Sequence, residues 1–121
     1  MSANTDTIGR YLDGFRNQDR ELVLSCLTDD VDWIVYGWYH ITGKEAYGEN
    51  IGGEGFVGNP QLDVVRLVEQ DDVVMGEIAG RVQRSDGGWT RLAMAETWVM
   101  RDALICERRS YVITLEHDDW H

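Results

Sequence analysis

Basic residues are scarce in this chain: 11 lysines and arginines stand against 22 aspartates and glutamates, a formal net charge of −11. Phosphate backbones and anionic membrane surfaces are held by basic patches, so neither nucleic acid nor membrane is an expected partner. Cysteine is scarcer still. Cys26 and Cys106 are the only 2, far apart and outside any Cys-x-x-Cys pair, which signals neither a disulfide framework nor a zinc site. Pro60 is the single proline, so no proline-rich linker divides the chain. No apolar run approaches the ~18 residues that span a bilayer, and no basic-then-apolar run follows Met1 as in a signal peptide. The expectation is one cytoplasmic domain over all 121 residues.

A composition that is 43% hydrophobic and 10% aromatic is ample for a folded core. The stretch from Trp89 to Met100 is the centre of it, too long and apolar for a loop and preceded by an Asp86-Gly87-Gly88 turn, as in the return arm of a hairpin. On a strand, Leu92, Met94, Glu96 and Trp98 share one face. A carboxylate in such a row must be paired, neutralised or used. Two readings stay open: a cross-strand ion pair or edge position, and a functional acid.

Around this strand the pattern predicts helices first. Thr5 is a candidate cap for a helix carrying Ile8, Tyr11, Leu12 and Phe15 on one stripe. Gly9 and Gly14 each weaken that helix by about 1 kcal/mol relative to alanine, which suggests close packing against a neighbour. Asp19 caps a short second helix that Thr28-Asp29-Asp30 closes. A strand runs from Val31 to Tyr36, with Val31, Trp33 and Val35 on one face. Gly37 breaks it, Trp38 to Ile41 is a second extended piece, and Gly43 opens a third helix from Lys44 to about Ile51. The glycine-rich stretch from Gly52 to Pro60 contains no lysine and is read as a connection rather than a phosphate loop. Four strands complete the chain: Leu62 to Val68, Val73 to Arg84, Trp89 to Met100 and Leu104 to Thr114. Gly76 and Gly80 fit a bent strand. The layout is α+β, with helices on one face of a curled sheet.

This order resembles the nuclear-transport-factor-2-like superfamily, within it the SnoaL-like polyketide cyclases and ketosteroid isomerase relatives. The carrying residues are Arg10-Tyr11-Leu12, Asp29-Asp30-Val31-Asp32-Trp33, Ile41-Thr42-Gly43-Lys44-Glu45-Ala46, Leu104-Ile105 and Arg109-Ser110-Tyr111-Val112. The resemblance covers Thr5 to Ile113 and leaves a tail over 114–121. It implies a cone-shaped curved antiparallel sheet wrapped around N-terminal helices, a cystatin-like α+β barrel, with an apolar pocket. It also implies a homodimer formed through the outer sheet face. The family's acid on the penultimate strand corresponds to Glu96 and its helix-one hydroxyl donor to Tyr11. Val35 stands where the isomerases carry a base, so steroid isomerisation by the usual route is not implied. The family's strand phase turns Arg108 inward, and with it Glu77 and Arg81 on a less firmly placed strand. The activity implied is cofactor-independent isomerisation, cyclisation or hydrolysis of a small apolar cyclic or polyketide-like molecule.

Glu96, Tyr11 and His40 are thus the candidate catalytic residues, and Trp33, Val35, Trp38, Glu77, Met94, Trp98 and Arg108 the candidate substrate contacts. Glu96 suits acid/base work in an apolar hollow, Tyr11 suits donation to a developing oxyanion, and His40 is a second proton carrier near the mouth. An arginine beside Glu96 turns the pair toward anchoring a polar group instead. Cys106, on the face of Arg108, reads as apolar filler. His117 and His121 flank two aspartates in the tail, but no fixed element presents them, so no metal and no cofactor is expected.

Overall fold

The computed structural model describes residues 2–51 and 56–116. Its elements are α1 (Ala3–Arg16), α2 (Arg20–Ser25), β1 (Leu27–Val35), β2 (Tyr39–Thr42), α3 (Lys44–Glu49), β3 (Phe56–Gln70), β4 (Val73–Arg84), β5 (Trp89–Arg101) and β6 (Leu104–Leu115). Ser2, not Thr5, caps α1. The Ser2 hydroxyl accepts from the Thr5 amide at 3.1 Å while the Thr5 hydroxyl accepts from the Ser2 amide at 3.0 Å, two orphan donors satisfied reciprocally. The predicted stripe is real: Ile8, Tyr11 and Leu12 are buried and Phe15 packs beside them. Gly14 carries the close packing, because a Cβ there would stand 2.6 Å from Cγ2 of Val23 on α2. Gly9 does not, having nothing within 4 Å.

The six strands form one curved, unclosed sheet in the order β2-β1-β6-β5-β4-β3. All neighbours are antiparallel except β1 and β6, which run parallel, a pairing the sequence reading did not contain. Two strands also start earlier than expected. β1 begins at Leu27, with a register shift before Asp32. β3 begins at Phe56, so Pro60 lies within a strand. β3 is an edge of the sheet, where a missing N–H leaves no ladder bond broken on the open side. The predicted connection from Gly52 is therefore shorter, and residues 52–55 lie outside the described part, as do the tail histidines.

Period-two alternation sorts the two faces. On β4, Val74, Gly76, Ile78 and Gly80 are buried while Met75, Glu77, Ala79 and Arg81 are exposed. The glycines on the inner row make room: a Cβ on Gly76 would lie 2.9 Å from the Trp98 ring, and one on Gly80 2.7 Å from the Met94 methyl. On β6 a bulge at Cys106 breaks the alternation, since Val99 pairs with Glu107 but Met100 with Ile105. Ile105 and Arg108, three residues apart, are consequently both buried. The helices cover the inner face, and the core of Ile8, Val23, Leu27, Val31, Val74 and Ile105 fills the closed end of the cone.

Candidate functional site

Above that core the inner face carries a buried polar cluster. Glu96 on β5 is 1% exposed and Arg108 on β6 is 9% exposed. They form a two-pronged ion pair: Nη2 of Arg108 donates to Oε1 of Glu96 at 2.6 Å and Nε donates to Oε2 at 3.2 Å. The fork geometry is the one in which arginine and carboxylate match best. Ser110, two residues along the same face, donates its hydroxyl to Oε2 of Glu96 and accepts from the Trp33 indole at 2.9 Å. Both carboxylate oxygens thus face donors only. The guanidinium lies 4.4 Å from the Trp33 ring centre and 5.4 Å from those of Tyr11 and Phe15, a partly aromatic cage for the cation.

Nη1 of Arg108 donates to the hydroxyls of Tyr11 and Tyr47, which also bond one another. Burial pushes the Tyr11 phenol well above its ordinary pKa against the opposing pull of Arg108, and raises Tyr47 in the same way. Both therefore stay protonated donors. Burial alone would lower the Arg108 value, but the Glu96 charge and its hydrogen bonds outweigh it and hold the guanidinium charged. A proton count follows. Two hydroxyls carry two protons, the bond between them uses one, and among the described residues no carbonyl or carboxylate accepts the other. Either phenol can be the donor of that bond; Tyr11 borders the cavity and Tyr47 does not, so with Tyr47 as the donor the second O–H is that of the cavity-lining residue.

That cavity has a volume of about 230 Å³ and is walled mainly by apolar side chains, among them Phe15, Leu62, Ile78, Leu92 and Met94. Glu96, Arg108, Ser110 and Tyr11 form its polar floor; Trp33, Val35, Trp38 and Tyr39 line the side toward β1 and β2. Of the residues expected at the site, Glu96, Tyr11, Trp33, Val35, Trp38, Met94 and Arg108 therefore meet around one hollow. Three do not. Glu77 is on the outer face, where it pairs with Arg66 at 2.9 Å, because its strand phase is opposite to the one expected. Arg81 is outside for the same reason, 4.8 Å from the Trp89 ring. His40 alternates with Tyr39 and Ile41, which take the inner positions, and its Nε2 lies 2.6 Å from Oδ1 of Asp32 on the outside. Trp98 is inward yet fully buried beneath the cavity, edge-on to Tyr11 at 6.3 Å, rather than lining it. Its Nε1 is the one buried side-chain polar atom without a partner among the described residues.

The sequence reading missed Tyr47, Ser110 and Tyr39. Ser110 was accessible through parity with Arg108, and Tyr39 through parity with Ile41. Nothing local marks Tyr47, a helical tyrosine placed by packing, where its ring stacks on Trp33 at 4.7 Å. A second hollow of about 910 Å³ on the outer face, between Val65, Ala79, Ala93, Tyr111 and Ile113, is larger but has no buried polar cluster at its base. No cluster of potential metal ligands exists among the described residues. No helix among them is long and apolar enough to cross a membrane.

Solved structures share this architecture. An M. tuberculosis LEH-like epoxide hydrolase superposes with a TM-score of 0.81 at 18% identity, covering 92% of this chain and 83% of that one. TerC, co-crystallised with polyporic acid, gives a TM-score of 0.79 at 26% identity, covering 94% of this chain and 92% of that one. A computationally designed 17-OHP binder gives 0.81 at 16% identity, covering 95% and 100%. No curated protein sequence matches the chain. The SnoaL-like domain profile matches residues 8–108, and the chain belongs to the SnoaL-like domain family.

Proposed function

We propose that the cone binds a small, largely apolar cyclic or polyketide-like molecule and acts on it without a cofactor, by acid/base chemistry at its polar floor. The observation that supports this most is a fully buried carboxylate bordering a mainly apolar cavity, since buried ionisable groups in clefts concentrate at functional sites. Tyr11 donates its spare proton to a carbonyl or ether oxygen, and Arg108 behind it stabilises negative charge as it develops there. Glu96, the anion of the ion pair, takes a proton rather than gives one. Val35 carries no base, so steroid isomerisation by the usual route is not proposed. The fold is shared with an LEH-like epoxide hydrolase and with TerC, which was co-crystallised with polyporic acid.

One observation favours a second reading, binding without turnover: every bond to Glu96 already comes from Arg108 or Ser110. The designed 17-OHP binder has the same architecture. A panel of cyclic ketones and epoxides, assayed for turnover and binding, separates the two. Glu96→Gln is expected to cut turnover by orders of magnitude and to change affinity little. Unchanged turnover in Glu96→Gln and in Tyr11→Phe favours the second reading. The proposed partner is a second copy. Val65, Tyr111 and Ile113, exposed by 51%, 47% and 61%, lie on the outer face, and exposed apolar faces of this kind mark contact surfaces. Ile113→Glu is expected to halve the mass in solution, and a wild-type monomer overturns the dimer.

A further inference from the structure

Tyr39 sits on the cavity wall opposite the helices, at the inner position of β2 that pairs with Val35. Its ring packs edge-on against Trp33 at 5.5 Å, so the phenol is held rather than swinging. It is 40% exposed, which places it at the mouth, and its hydroxyl has no bonding partner among the described residues. It lines the same hollow as Glu96, Arg108 and Tyr11. The floor therefore carries the phenol of Tyr11, whose O–H is free for an acceptor atom when Tyr47 donates to it, the wall between is mainly apolar, and the mouth carries a second unused hydroxyl. A hollow of about 150 Å³ accommodates a bare benzene ring; the 230 Å³ here suits one ring bearing two short substituents.

Building on the proposed ligand pocket, we infer that Tyr39 is a specificity residue, and that the preferred ligand is a single ring with an acceptor oxygen at the inner end and a hydroxyl at the outer end. Tyr11 takes the inner oxygen. Tyr39 pairs with the outer hydroxyl, as donor or acceptor. A ligand lacking that hydroxyl leaves Tyr39 to water and gains nothing from it. One lacking the inner oxygen leaves the Tyr11 proton unpaired and buried, the costlier mismatch.

Para-hydroxyacetophenone and acetophenone test this, with binding read calorimetrically on the full chain. The wild type is expected to bind the hydroxy ketone about fivefold more tightly, one neutral hydrogen bond. Tyr39→Phe is expected to bind both ketones with the acetophenone affinity, while Tyr11→Phe weakens both alike and keeps their ratio. Equal wild-type affinities, or a preference that survives in Tyr39→Phe, overturn the inference and leave the pocket standing. Failure of either ketone to bind the wild type overturns the pocket reading together with it.

Discussion

Two of the arginine–glutamate pairs on the sheet have similar separations and opposite settings. Arg108 and Glu96 face inward at 2.6 Å with side chains 10% and 1% exposed. Arg66 and Glu77 face outward at 2.9 Å with side chains 69% and 56% exposed. Water screens the outer pair and hydrates each partner whether or not they meet, so little depends on it. The inner pair has no such alternative. Each ion there has only the other, two phenols, a serine and aromatic rings, which fixes the positions of all of them. Shared residue types and distances thus say little; the solvent decides which pair organises a site.

Breaking each pair singly gives the largest contrast. Arg108→Leu leaves Glu96 as a buried, uncompensated anion and is expected to cost about 3–5 kcal/mol in urea unfolding. Replacing both residues, Arg108→Leu with Glu96→Met, is expected to recover most of that loss, because no lone charge is left inside. Gly76→Ala comes next. The added methyl meets the buried Trp98 ring at 2.9 Å, and an expected 1–3 kcal/mol, roughly the cost of overpacking, reads out as a lower denaturation midpoint.

Alkaline pH sharpens the comparison through the tyrosines. Tyr11 and Tyr47 have folded pKa values raised by burial above the roughly 10 of an unfolded chain. The native state then binds more protons than the unfolded one, so their contribution is complete below about pH 10 and falls as pH rises beyond it. Tyr36 on the outer face is shifted the other way by its hydrogen bond from Arg109. Phenolate absorbance is expected from Tyr36 before any unfolding and from Tyr11 and Tyr47 only with it. Tyr36→Phe is expected to remove the early phase. Smallest of all, Glu77→Gln on the outer pair is expected to shift stability by less than about 1 kcal/mol.

How much of this was written in the chain follows from the same contrast. The inward turn of Glu96 is a matter of parity along one uninterrupted strand, and parity is readable. The phase of β4 is readable too, from Val74, Gly76, Ile78 and Gly80, and it turns Glu77 outward, opposite to the strand phase that the family resemblance implies. Residue counting fails at Cys106, where one extra residue on β6 lets Ile105 and Arg108 point the same way. The β1–β6 pairing joins segments distant in sequence and has no local signature, nor does the meeting of Tyr47 with Tyr11 across two helices. Long-range placement of hydroxyls was the part not carried by periodicity.

The most direct test is a crystal structure with para-hydroxyacetophenone. The expected result is the ketone inside the cone, its carbonyl oxygen accepting from the Tyr11 hydroxyl beside the Glu96–Arg108 pair. Ketone density confined to the outer-face hollow between Val65 and Ile113, with the cone closed by its own side chains, would contradict it.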